Sequence, residues 1–174
     1  MAGQSINSKL FLIGLPGCGK TTLAKQVAEH GGLSFVDLDK EIERSESKKV
    51  EEIFAERGEA VFREMEAKVL KKFCGLDSGF VMATGGGAPC FGNNLEVMKA
   101  SGKVVFLDVP AKEIASRISK QSLNRPLLKN ETPDSMKDRI EFLRSHRISF
   151  YRQAHFIVSG TQIIPKEIID LVAS

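Results

Sequence analysis

Gly14-Leu-Pro-Gly17-Cys-Gly19-Lys20-Thr21 lies between the apolar run Leu10 to Ile13 and the amphipathic stretch Thr21 to His30, and it fits G-x-x-x-x-G-K-[ST]. Its placement, directly after a strand-like run and directly before a helical one, is what separates it from an ordinary glycine-rich turn. Glycines let the backbone curl until successive N–H groups point at phosphate oxygens, and the helix start adds partial positive charge. Lys20 then reaches the β and γ phosphates, and Thr21 offers a hydroxyl to Mg²⁺. The loop predicts a nucleoside triphosphate, with Gly17, Cys18, Gly19, Lys20, Thr21 and Thr22 around its phosphates. No histidine lies near Cys18 in sequence, so it reads as a small filler rather than a nucleophile.

Working outward, strand-length apolar runs recur at Leu10 to Ile13, Leu33 to Val36, Phe80 to Ala83, Val104 to Leu107 and Phe156 to Val158. Between them, Thr21 to His30, Glu59 to Phe73, Asn93 to Ala100 and Lys112 to Lys120 repeat apolar residues three or four apart. The alternation predicts a three-layer α/β/α fold around a five-stranded parallel sheet, its strands apolar on both faces. With no repeat or linker, residues 1–174 read as a single domain. A charged stretch from Lys40 to Arg57 looks like an insertion after the second strand. Gln121 to Pro133 is a polar excursion with two prolines, a candidate lid, and Asp134 opens a helix to about Tyr151.

Composition narrows the function. A chain of 174 residues that is 42% apolar can build a full core. Its net charge of 25 − 22 = +3, single Tyr and absent Trp argue against nucleic acid as a partner. Cys18, Cys74 and Cys90 are odd in number and lack C-x-x-C spacing, so a reducing cytoplasm is expected. The N-terminal apolar stretch is too short for a signal peptide, and no run approaches a membrane span.

Other residues select the reaction. Val36-Asp37-Leu38-Asp39 puts two carboxylates at the carboxyl end of the second strand, where strand alternation would point them the same way. One can act on Mg²⁺ through water while the other orients an acceptor hydroxyl; helix-capping acids would look the same. Glu59, Arg63 and Glu66 share one helical face, either as a surface ladder or as a brace presenting a guanidinium to a carboxylate. Thr84-Gly85-Gly86-Gly87 lets backbone approach a small ligand with no side chain between. Leu123-Asn-Arg125-Pro126-Leu127-Leu128 places an arginine in the excursion, a candidate cis arginine finger. Arg147, on a helix that also carries Arg139 and Arg144, would by itself pass for surface charge.

Taken in this order, Gly14 to Thr21, Asp37-x-Asp39, Phe54 to Glu66, Gly85 to Gly87 and Arg125-Pro-Leu-Leu resemble the shikimate kinases, over Leu10 to about Gln162. The resemblance implies a P-loop kinase with a nucleoside-monophosphate-kinase-like fold, a substrate-binding insertion over 40–66 and a lid over 119–133. It implies ATP-dependent phosphorylation of the 3-hydroxyl of shikimate, on the chorismate route to aromatic amino acids, by a cytoplasmic monomer. Thr21 would ligate Mg²⁺ and Asp37 would act on it through water. Asp39 would be the base, with Lys20 and Arg125 also catalytic. Arg63 and Arg147 would grip the carboxylate, Glu66 would orient Arg63, and Gly85, Gly86 and Gly87 would border the substrate. Arg125 would touch ATP as well, while Gln162 and Arg117 would lie near adenine. Ser47 departs from the family's usual glycine, which would allow positive φ, and Ser149 from its usual proline.

Two other functions fit parts of the pattern. A kinase for another carboxylated polyol such as gluconate would share the loop and the clamp. A catalytically silent nucleotide-binding regulator would keep the loop without needing Asp39, Arg63, Arg125 and Arg147.

Overall fold

Consecutive residues of a strand face opposite sides of a sheet, so the complete burial of Phe11, Leu12 and Ile13 requires cover on both faces. The computed structural model describes residues 8–122 and 133–173. Strands β1 (Lys9–Ile13), β2 (Ser34–Asp37), β3 (Phe80–Ala83), β4 (Lys103–Asp108) and β5 (Phe156–Ser159) form one parallel sheet in the order β2-β3-β1-β4-β5. Each lies within one residue of the predicted apolar run at either end. The helices are α1 (Lys20–Gly31), α2 (Leu38–Glu46), α3 (Val50–Cys74), α4 (Asn94–Ser101), α5 (Ala111–Ser122), α6 (Pro133–Tyr151) and α7 (Pro165–Ala173).

The expectation of strands apolar on both faces holds for β1 and β3 and along the middle of β4. It fails at the two edges, where β2 and β5 leave residues exposed. An edge strand has a neighbour on one side only, and Phe35 and Ile157 are left partly open. Helix α7 is additional to the predicted elements, although its buried Ile168 and Val172 stand four apart as on any one-sided helix. It packs against α1. Among the described residues no helix is long and apolar enough to cross a membrane.

Because all strands run one way, Ile13, Asp37, Ala83, Asp108 and Ser159 finish at one edge of the sheet. After β1 the chain moves two places to β2, whereas after β3 it steps across β1 to β4. The order therefore reverses around β1, which opens a crevice at its carboxyl end.

Glu43 joins the two helices that follow β2. It accepts from Lys40 Nζ at 2.8 Å, from the Val50 N–H at 3.2 Å and from Lys49 Nζ at 3.4 Å. The Lys40 bond, aided by the Val50 N–H, holds its carboxyl down to about 2. The turn between these helices passes through Ser47 at φ 55, the αL closure of α2, and Ser47 N–H bonds the Glu43 carbonyl. A serine thus holds the positive φ that a glycine would adopt without strain. Ser47→Gly is expected to raise stability by about 0.5–1 kcal/mol, an increase in Tm of roughly 1–4 °C by calorimetry; an unchanged or lower Tm would contradict this.

Candidate active site

The phosphate loop leaves β1 and enters α1 through Gly19, the N-cap residue, at φ 98. Gly17, at φ 80, cannot be replaced without strain, and a Cβ there would stand 3.0 Å from the Ile118 side chain. Lys20 is buried, and its ammonium donates to the carbonyls of Gly14 at 2.8 Å and Leu15 at 2.9 Å. Cys18 is buried with Sγ 3.7 Å from Lys20 Nζ, which agrees with a packing role for its side chain. Thr21 and Thr22 lie exposed on the first turn of α1. Arg117 of α5 donates to the Cys18 carbonyl at 3.2 Å and to the Thr161 carbonyl. This ties the turn containing exposed Gln162 to the phosphate loop.

Asp37 ends β2 and caps α2, accepting from the Lys40 N–H at 3.1 Å and from Thr21 Oγ1 at 3.2 Å. Asp39 lies on the first turn of α2 rather than on the strand. Strand alternation, the expected cause, therefore does not aim the pair; the strand-to-helix corner does. Asp37 is accordingly both a helix cap and a partner of Thr21. Burial, with the nearby Asp37 charge, pushes the Asp39 carboxyl above the usual aspartate range, against the pull of Lys20 and Arg63. Asp39 thus senses the phosphate loop on one side and the arginine cluster on the other.

In that cluster the ladder proves to be a brace. Gly58 leaves helical geometry at φ 78 and ψ 173, so α3 is broken, and its second half carries Glu59, Arg63 and Glu66. Arg63 Nε and Nη2 donate to Glu59 Oε1 at 3.3 and 3.2 Å, and Nη1 donates to Glu66 Oε2 at 2.8 Å. Glu66 is fully buried, and burial raises its carboxyl above the usual range despite Arg63. Its Oε1 has no hydrogen-bond partner among the described residues.

The glycine triplet makes room for this cluster. A Cβ on Gly85 would come 3.0 Å from Asp39 Oδ1 and 3.3 Å from Glu66 Oε1. On Gly86 it would meet Arg147 Nη1 at 3.1 Å, and on Gly87 Arg63 Nη2 at 2.5 Å. Buried Tyr151 donates its hydroxyl to the Gly86 carbonyl at 2.6 Å, so α6 is fastened to the triplet. Arg147 therefore lies against the triplet, beside Gly86.

Some features were not legible in advance. Arg144 holds Asp108 at the end of β4 through two bonds, at 2.5 and 3.3 Å, instead of lying free on the surface. The rings of Phe54, Phe62 and Phe91 lie 6.0, 5.2 and 4.1 Å from Arg63 Cζ. Phe54 stands in the quoted motif without a role, and nothing in the sequence links Phe91 to Arg63. Of the lid expected over 119–133, residues 119–122 continue α5 and 133 opens α6. Arg125 lies outside the described residues. Helix α6 runs through Ser149 without a break.

Comparison with known proteins agrees over nearly the whole chain. A family profile described as shikimate kinase matches residues 16–174. The shikimate kinase of Bacteroides fragilis is 41% identical over 162 residues, covering 93% of this chain and 90% of that protein. That of Parabacteroides distasonis is 42% identical over 156 residues, covering 90% of each. A crystal structure of shikimate kinase from Bacteroides thetaiotaomicron superposes with a TM-score of 0.87 at 36% identity, over 96% of this chain and 99% of that one. Shikimate kinase from Acinetobacter baumannii in complex with shikimate gives 0.81 at 33% identity, over 97% and 92%.

Filling the space beside Arg63 tests whether the triplet serves as clearance. Gly87→Ala is expected to weaken shikimate binding about tenfold or more by calorimetry, since a displaced guanidinium loses a charge-assisted contact. Unchanged affinity would show that the close approach is dispensable.

Proposed function

The chain belongs to the shikimate kinase family, and on that premise we propose that the cluster at the carboxyl edge of the sheet transfers the γ-phosphoryl group of ATP to the 3-hydroxyl of shikimate. The observation that carries this reading is the position of Asp39: its Oδ1 and Glu66 Oε1 both border Gly85, Glu66 holds Arg63 at 2.8 Å, and Asp37, two residues earlier, bonds Thr21 of the phosphate loop at 3.2 Å. A carboxylate between a phosphate loop and an anion clamp stands where an acceptor hydroxyl must lie for in-line attack.

Each residue has a role. Arg63 presents a preset guanidinium to the substrate carboxylate, and Arg147 supplies the second cation. Glu66, buried beside Gly85, orients Arg63 through its Oε2. Asp39 accepts the hydrogen bond of the 3-hydroxyl and aligns it, and then takes its proton as the new P–O bond forms and the bond to the β-phosphate oxygen breaks. The transition state is loose, so this alignment and the positive charge of Lys20 count for more than base strength. Arg125 is assigned to the phosphoryl group and Gln162 to the adenine side, on the family pattern.

The oxygen donors of Thr21 and Asp37, 3.2 Å apart at the end of the loop, suit a small hard cation that keeps most of its waters. They would hold Mg²⁺, Thr21 directly and Asp37 through water. When bound, the cation neutralises charge on the β and γ phosphoryl oxygens.

The reaction is tested by ADP release with ATP and shikimate, gluconate or no acceptor. Turnover with shikimate that exceeds the other two arms at least a hundredfold is expected; equal rates in all three would reject the assignment. Asp39→Asn should lower kcat about 100-fold or more while changing the KM for ATP little. The opposite pattern would move Asp39 to the nucleotide. Because its carboxyl is lifted, Asp39 takes up its proton at a higher pH than an exposed aspartate does. The acid limb of kcat/KM for shikimate should therefore fall above the ordinary aspartate range and vanish in Asp39→Asn; a limb unchanged in the variant would assign it to another group.

A further inference from the structure

Three of the five Arg63 N–H groups are spent on Glu59 and Glu66, which leaves two for a bidentate carboxylate. Hydrogen bonds to a guanidinium lie near its plane, so they fix its heading better than its tilt. Tilt is set by what packs on the flat face. Phe91 does this most closely: its ring centre is 4.1 Å from Arg63 Cζ, against 5.2 Å for Phe62 and 6.0 Å for Phe54. Phe54 and Phe62 come from the two halves of α3 and stack on each other with centroids 4.4 Å apart. Phe91 comes from elsewhere, immediately after the short 3-10 turn Ala88–Cys90 that follows the glycine triplet. It is extended at φ −118 and ψ 141 and keeps 36% of its surface exposed. A phenylalanine that open is not held there by core burial; what it covers is the guanidinium, four residues beyond the glycine that lets Arg63 approach.

We propose that Phe91 is a positioning residue for the carboxylate clamp: its ring stacks on Arg63, fixes the tilt of the two free N–H groups and keeps water off them. A cation–π contact has the required strength, and fixing a tilt needs in addition the flat guanidinium, which can lie face to face on the ring. The proposal deepens the kinase reading and rests on it for the identity of the ligand.

The test compares Phe91→Ala, Phe91→Leu, Phe91→Tyr and Phe91→Trp in the full chain, by steady-state kinetics and by calorimetric titration with shikimate. Phe91→Ala should raise both the Kd and the KM for shikimate by about 5- to 30-fold. The KM for ATP should stay within twofold and kcat at saturating shikimate within threefold. Tyr and Trp should restore affinity to within about threefold of the parent, whereas Leu, which fills volume without a ring face, should not. In an Arg63→Lys background, where the planar partner is gone, Phe91→Ala should add less than twofold. The proposal is overturned if Leu serves as well as Phe, if the KM for ATP rises as much as that for shikimate, or if the full effect persists in the Arg63→Lys background. Shikimate binding that depends on Phe91 in a chain without turnover would support this inference and reject the proposed reaction. Turnover indifferent to Phe91 would do the reverse.

Discussion

Bringing two carboxylates and two guanidinium groups together in a partly buried pocket is costly unless the charges meet at contact distance. This constraint governs the site. Glu66 is wholly buried, and burial lifts both its carboxyl and that of Asp39. The cluster survives because Arg63 lies 2.8 Å from Glu66, with Arg147 close enough to pull in the same direction. That proximity in turn requires Gly85, Gly86 and Gly87, each of which would otherwise place a Cβ against one of these side chains.

The fold supplies the remainder of the geometry. Parallel strands bring β1, β2 and β3 to an end at one edge, so the phosphate loop, the Asp37–Asp39 corner and the glycine triplet share an origin although they lie far apart in sequence. Ties from outside this core then fix the parts that the sheet does not. Tyr151 fastens α6 to the triplet, Arg144 fastens it to Asp108, and Arg117 holds the turn after β5 to the phosphate loop. The phosphate loop and the arginine cluster are thus braced separately.

What the sequence revealed divides along the same line. The phosphate loop and the Glu59–Arg63–Glu66 brace were legible because each depends on spacing within one local element. The strand order follows from alternation and chirality only once pairing is known. Asp39 does lie near the carboxyl end of β2, but strand periodicity does not reach it, because the backbone turns into α2 at Leu38. The triplet's freedom from side chains is legible in the sequence, but its clearance role depends on side chains from α2, α3 and α6. Phe91 and the Asp108–Arg144 pair join distant positions, and no pattern in a single chain links such partners in advance.

The measurement that bears most directly on this account is a crystal structure of the chain with ADP, Mg²⁺ and shikimate. The account requires the shikimate carboxylate on Arg63 and Arg147, its 3-hydroxyl within hydrogen-bond distance of Asp39, and that hydroxyl facing the phosphate end of the nucleotide. Shikimate bound with its carboxylate away from Arg63, or with its 3-hydroxyl turned from Asp39, would contradict it.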